Sequence, residues 1–149
     1  EDAAEKFTRQ METIASWYEE WVTALGGGNE SARQDARFVL PNAAETKMMV
    51  TMNARELNHF FRLRGCNRAQ WEIRALAWAM MGLCYSAAPA LFGNCGPACV
   101  GGECSEGRMS CGRMREVEQK HRELLEFVKK HGQEPDFEEK MSEWASNNA

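Results

Sequence analysis

Residues 45–64 read "ETKMMVTMNARELNHFFRLR", and the spacing of the apolar residues changes inside this stretch. Residues 45–52 alternate between apolar and polar side chains, which predicts a β-strand. Asn53 then stands where a helix N-cap is expected, because its side chain can accept a hydrogen bond from a backbone N–H of the first turn. From there to Arg64 the apolar residues recur three or four positions apart, which predicts a helix.

Helices are predicted through most of the remaining chain, from apolar residues at helical spacing and from glycines or prolines that end each run. They cover residues 3–25, the segment between Ser31 and Pro41, and residues 69–87, 114–131 and 136–146. With the one strand, this pattern predicts an α+β fold that is rich in helix and has a small antiparallel sheet. Because one strand cannot form a stable sheet alone, its partners must be strands that the pattern does not reveal, or must come from another chain or from sequence outside this one.

The bulk composition is that of a single globular domain. The chain has 149 residues, of which 44% are hydrophobic and 27% charged, with a formal net charge of -4. An acidic balance argues against binding to nucleic acid or to an anionic membrane surface. We find no apolar run near the roughly 20 residues that a membrane span needs, and the charged first residues do not resemble a signal peptide, so we expect a cytoplasmic protein.

Residues 53–71 combine planar polar groups with large apolar ones. The polar set is Asn53, Arg55, His59, Arg64, Arg68 and Gln70, and the apolar set is Leu57, Phe60, Phe61 and Trp71. An arginine fork donates several hydrogen bonds at once to a phosphate or to a pyrimidine carbonyl. This combination predicts a nucleotide site, although any one arginine alone would be read as surface charge. Gln70 is expected to be structural, Trp71 to lie in the core, and the downstream His121 and His131 to be structural or solvated.

Residues 35–77, "DARFVLPNAAETKMMVTMNARELNHFFRLRGCNRAQWEIRALA", resemble the flavin-dependent thymidylate synthases. The shared features are an arginine before V-L-P, a T-x-N-A-R run, an aromatic-rich helix, an L-R pair and A-Q-W-E-I. Each piece is weak alone, but their order is specific. The resemblance implies that Arg37 and Arg64 contact dUMP, Arg64 as the catalytic residue near the pyrimidine. It also implies FAD contacts from Asn53, Arg55, His59, Leu63 and Arg68.

Chemistry qualifies the role implied for Arg68 and leaves Cys66 without a catalytic role. Arg68 stands where many members of the family have a histidine, and a guanidinium cannot accept a hydrogen bond as a histidine can. In the family the flavin passes the hydride and no cysteine attacks the uracil, so Cys66 is given no role as a nucleophile.

The activity that the resemblance implies is the reductive methylation of dUMP to dTMP. Methylenetetrahydrofolate supplies the carbon, NADPH and FAD take part as cofactors, and the family assembles as a homotetramer with shared sites. The alternatives are a non-catalytic binding or assembly protein of the same fold, or another flavin-dependent pyrimidine-nucleotide methylase or hydroxymethylase.

The best-known motif of the family is missing from this chain. That motif is R-H-R followed seven residues later by serine, whereas the His-Arg pair here is His121-Arg122, far downstream. We therefore expect a partial family-like domain at 1–94, a Cys/Gly-rich loop at 95–113 and a helical tail at 114–149. The chain would be a fragment, would pair with a chain that supplies the missing N-terminal half, or would have lost catalysis.

The loop holds Cys95, Cys99, Cys104 and Cys111, separated by three, four and six residues. Thiolates this close in sequence can converge on a tetrahedral zinc ion, although the spacing is looser than a paired C-x-x-C motif. Two disulfides and four free thiols are the other interpretations. A zinc ion here would be structural or regulatory, because the resembling family does not need this loop.

Overall fold

A computed structural model describes residues 2–148 of the chain. The chain divides into two compact units, Glu1–Val50 and Thr51–Ala149. Its helices are α1 (Ala3–Ala24), α2 (Glu30–Ala36), α3 (Ala54–Arg64), α4 (Trp71–Ala87), α5 (Pro89–Phe92), α6 (Met114–His131) and α7 (Phe137–Asn147). Short 3₁₀ turns occur at Arg37–Val39 and Gly107–Met109. No helix between residues 2 and 148 combines the length and the apolar character needed to cross a membrane.

The predicted α+β fold with a small antiparallel sheet is wrong, because residues 2–148 contain no β-strand. Residues 45–52 have no regular secondary structure, and Met48, Met49 and Val50 are 76%, 101% and 57% exposed. A strand gains its stability from hydrogen bonds to a neighbouring strand and from burial of one face. Alternation in the sequence supplies neither, so the pattern alone does not make this segment a strand.

The N-terminal unit packs α1, α2 and the first 3₁₀ turn together. Val22, Ala32 and Ala36 are its buried apolar residues. The glycines at 26–28 end α1 as predicted, and all of them have positive φ, which glycine adopts at little cost. The N-cap of α2 is Asn29 rather than Ser31, since Asn29 Oδ1 accepts a hydrogen bond of 2.8 Å from the Ala32 N–H.

The C-terminal unit is organised around α4, which packs against α3, α5, α6 and α7. The most deeply buried large side chains include Phe61 of α3, Trp78 and Met81 of α4, Leu124 of α6 and Met141 of α7, each at most 1% exposed. Trp78 Nε1 donates a 3.1 Å hydrogen bond to the Gly65 carbonyl, so the core also holds the turn between α3 and α4.

Two N-cap residues determine where α3 and α4 begin. Asn53 is the N-cap of α3 as predicted, and its Oδ1 accepts a 3.0 Å hydrogen bond from the Glu56 N–H. Gln70 caps α4 through hydrogen bonds from the backbone N–H groups of Glu72 and Ile73, which confirms its structural role. Trp71, by contrast, is 65% exposed, so its predicted place in the core is wrong.

Candidate functional site

The exposed face of α3 carries most of the predicted flavin contacts. Arg55, His59 and Leu63 follow one another at four-residue spacing, and all of them are exposed. The helix is oriented by Phe61, which is fully buried in the core, with Leu57 and Phe60 packed against the same cluster. Because side chains four apart share a face, the buried aromatic edge forces these three side chains into solvent as one stripe.

Polar groups at the site are free to bind a ligand. The side chains of Arg37, Arg55, His59 and Arg64 make no hydrogen bond or ion pair within residues 2–148. Most side-chain donors in folded proteins serve the fold or water, so unengaged arginines on one short helix are available to an anion or a carbonyl. Asn53 also keeps its amide NH₂ group at the N-terminus of α3, where the helix dipole favours negative charge.

Arg37 belongs to the N-terminal unit, whereas the other predicted contacts belong to the C-terminal unit. It sits in the 3₁₀ turn and lines a cleft of about 500 Å³ together with Tyr18, Glu30 and Arg33. Two guanidinium groups therefore face the same cleft as the two carboxylates of Glu30 and Glu45, so the formal charges of its lining balance.

Arg68 differs from the other predicted flavin contacts because its guanidinium is already engaged. Its Nη1 donates a hydrogen bond to the Met109 carbonyl and lies 3.9 Å from the Glu106 carboxylate. The Cys/Gly-rich loop therefore holds this side chain through the 3₁₀ turn at Gly107–Met109 and the residue before it. A ligand that needed Arg68 would have to compete with the loop.

Arg74 is a structural residue of the site that the sequence analysis missed. Its Nη1 donates hydrogen bonds to the carbonyls of Asn67 and Ala69, at 2.8 and 3.3 Å. These bonds hold the turn that follows Arg64 and contains Arg68 against α4. Arg74 directly follows the A-Q-W-E-I run in the sequence. Its charge alone did not indicate that its side chain would bind the turn.

The cysteines do not group as the spacing predicted. All six are free thiols, and within residues 2–148 no three or more His, Cys, Asp or Glu side chains are arranged to hold a metal ion. Cys95 is buried with Cys84 as its thiol neighbour, and burial raises the pKa of Cys95 to about 12. The pKa of Cys99 is raised by burial and further by Cys66, Cys104 and Cys111. The four loop cysteines are therefore free thiols, and no zinc set is assembled within residues 2–148.

His121 lies beside Cys95 and is 7% exposed. Burial lowers the pKa of this histidine, while a hydrogen bond with the Cys95 backbone opposes the shift. A neutral, buried histidine that bonds to the backbone has a structural role, which is what the sequence predicted.

The reactivity of Cys95 gives a direct test of this environment. We expect iodoacetamide at pH 8 to modify Cys95 only after denaturation, because the thiolate is the reacting species and burial suppresses it. Peptide mapping by mass spectrometry after timed labelling measures the rate, and the half-buried Cys104 serves as the internal control. Labelling of Cys95 as fast as Cys104 in the folded protein would contradict the structure.

Arginines, an amide and a histidine beside an apolar side chain on one exposed helix face are a combination typical of nucleotide sites. The family model described as "Thymidylate synthase complementing protein" matches residues 1–90, and this chain belongs to that family. The match contains every predicted nucleotide contact and ends before the Cys/Gly-rich loop.

Curated relatives carry the name flavin-dependent thymidylate synthase. The protein of Geobacter sulfurreducens is 62% identical over 91 residues, covering 61% of this chain and 39% of the relative. Those of Clostridium tetani and Nitratidesulfovibrio vulgaris are 47% and 48% identical, covering 78% and 74% of this chain and 48% and 47% of the relatives. The chain thus spans about half or less of the length of these relatives. No solved structure matches it.

Proposed function

We propose that this chain supplies the C-terminal part of a flavin-dependent thymidylate synthase. The proposed reaction is the reductive methylation of dUMP to dTMP, with methylenetetrahydrofolate as the carbon donor and NADPH as the reductant. The observation that carries the proposal is the set of unengaged donors at Arg37, Arg55, His59 and Arg64, at positions that match the family run.

The residues on α3 fit a flavin dinucleotide in chemical character. FAD needs an apolar surface for its ring and a few placed donors for its phosphates, carbonyls and ring nitrogens. Leu63 is 49% exposed and offers the apolar contact, while Arg55 and His59 offer donors two turns and one turn before it, respectively. When bound, the flavin would supply hydride transfer.

Substrate contacts in this proposal come from two arginines. Arg64 is the last residue of α3 and directly follows Leu63; in this proposal, its guanidinium binds the pyrimidine of dUMP. Arg37 would bind dUMP from its own cleft, where Arg33 adds a second cation. Arginine suits both roles, because it stays charged at every physiological pH and donates in a fixed plane.

In this proposal, the rest of the site comes from residues outside this chain. The relatives are about twice as long as the matched region, and the R-H-R motif expected upstream is not in this sequence. We propose that a longer polypeptide or a second chain supplies that half, in a homo-oligomer such as the tetramer expected for the family. Trp71, Leu76 and Met49 are individually exposed apolar side chains that are available for such contacts.

A flavin-retention experiment tests the proposal. FAD is added to the purified chain, the excess is removed, and the visible spectrum is recorded with and without dUMP. We expect a retained flavin band that shifts when dUMP is added, and its loss in the Arg55→Ala/His59→Ala double variant. Lys129→Ala, an exposed cation on α6, is the matched control and should retain flavin like the parent.

The two negative results have different meanings. Equal flavin retention by the double variant would contradict the assignment of α3. Absence of flavin from every variant would mean that this chain alone does not form the site, and the same measurement would then be made after mixing with a chain that contains the R-H-R half.

A further inference from the structure

A second polar cleft lies on the C-terminal unit, behind the turn that joins α3 to α4. Its volume is about 160 Å³, and its lining includes Asn67, Arg74, Arg113, Glu116 and Lys120. Three cations and one carboxylate therefore face the same small space. None of these residues was assigned a role by the sequence, and none is a proposed contact of FAD or dUMP.

The hydrogen-bond donors of the cations at this cleft are only partly paired within the fold. Arg74 uses Nη1 to hold the turn, but its Nε is buried and has no hydrogen-bond partner within residues 2–148. A buried donor without an acceptor costs free energy, and the cost is larger for a charged group. An anion bound at the cleft would be the acceptor that this side chain lacks.

Lys120 is held in place from two sides. Its Nζ donates to the Asn148 carbonyl and lies 4.3 Å from the centre of the Trp78 ring. An ammonium has three N–H donors, so donors remain after the bond to Asn148. Burial and, to a lesser extent, the neighbouring charge of Arg74 together lower the pKa of Lys120 to about 8. The fold thus keeps two mutually repelling cations together, and one carboxylate, Glu116, offsets only part of their charge.

We propose that Arg74, Arg113 and Lys120 form a binding site for one small tetrahedral oxyanion, such as inorganic phosphate or the terminal phosphate of a small molecule. The size of the cleft supports a single oxyanion group, because pockets that enclose whole drug-sized ligands have volumes of roughly 300 to 1,000 Å³. The site would also tie the anion to the α3–α4 turn through Asn67 and Arg74. Binding there would stiffen the turn that bears Arg64.

Sulfate is the probe for the test, because it stays doubly charged across the pH range in which Lys120 titrates. Calorimetric titration at constant ionic strength, with chloride as the balancing salt, should show one site at pH 7. Affinity should fall as the pH rises through about 8, since Lys120 then loses its proton. Inorganic phosphate and phenyl phosphate at pH 7 separate the two sources: binding of phosphate alone indicates a free ion, and binding of both indicates a terminal phosphate group.

Variants distinguish this site from general salt effects. Lys120→Met and Arg113→Gln should each weaken sulfate binding by about tenfold, the effect of losing one charge-assisted hydrogen bond. Arg113 is exposed, so its variant keeps the fold even if loss of the Lys120 contact with Trp78 disturbs the core. Arg115→Gln, an exposed cation on the same helix outside the cleft, is the control and should bind like the parent. Equal sulfate binding by all variants, or no binding by the parent, would overturn the proposal.

Discussion

Arg64→Ala should weaken the binding of dUMP by about 10- to 100-fold, the range expected when hydrogen bonds to a charged or polarised group are lost. Arg64 is exposed at the end of α3 and its side chain makes no hydrogen bond or ion pair within residues 2–148, so truncating it leaves no intramolecular partner unsatisfied. The loss should therefore appear in ligand affinity and not in stability. The measurement is a dUMP titration of the flavin spectrum of the chain, made alongside thermal unfolding.

Two further variants determine what the arginine contributes. Arg64→Lys keeps the charge but loses the planar fork, so it should recover only part of the affinity. Arg62→Ala removes an equally exposed cation from the same helix, and its binding of dUMP should match the parent. If Arg62→Ala and Arg64→Ala weakened binding alike, general charge and not the assigned contact would explain the effect.

The helices were predictable because each one combines a periodic apolar face with local start and stop signals. Asn53 and Gly65 bound α3 as the sequence indicated, and α6 begins and ends at the predicted residues. The strand at 45–52 was not predictable in the same way, because a strand depends on a partner that local alternation does not provide. The structure around Met48 and Val50 shows what remains without a partner: an irregular, exposed segment.

The candidate site was recognised from an ordered series of residues, but its intramolecular contacts were not. No pattern in the sequence indicated that Arg74 would hold the turn or that the loop would engage Arg68. These contacts join residues far apart in the chain, so they depend on how α3, α4 and the loop pack. The charge of a residue indicates which kinds of group its side chain can bind, but the tertiary packing decides which group it contacts.

Trp78→Ala should destabilise the C-terminal unit by about 3 to 5 kcal/mol, the range for truncating a large buried aromatic side chain. Trp78 is fully buried in the core that α4 forms with its neighbouring helices. The variant also leaves the Gly65 carbonyl without its donor and removes the ring beneath Lys120. Urea unfolding followed by circular dichroism at 222 nm, the helix band, gives the change in the free energy of unfolding.

The matched control is Trp71→Ala, at the exposed first residue of the same helix. Its side chain is 65% exposed, so its replacement should change stability by no more than about 0.5 kcal/mol. Trp78→Phe keeps most of the buried ring but loses the Nε1–H donor, and its stability should fall between those of the parent and of Trp78→Ala. Because the Trp78–Gly65 bond anchors the turn after Arg64, Trp78→Phe should also loosen dUMP binding. Equal losses of stability in Trp71→Ala and Trp78→Ala would contradict the packing around α4.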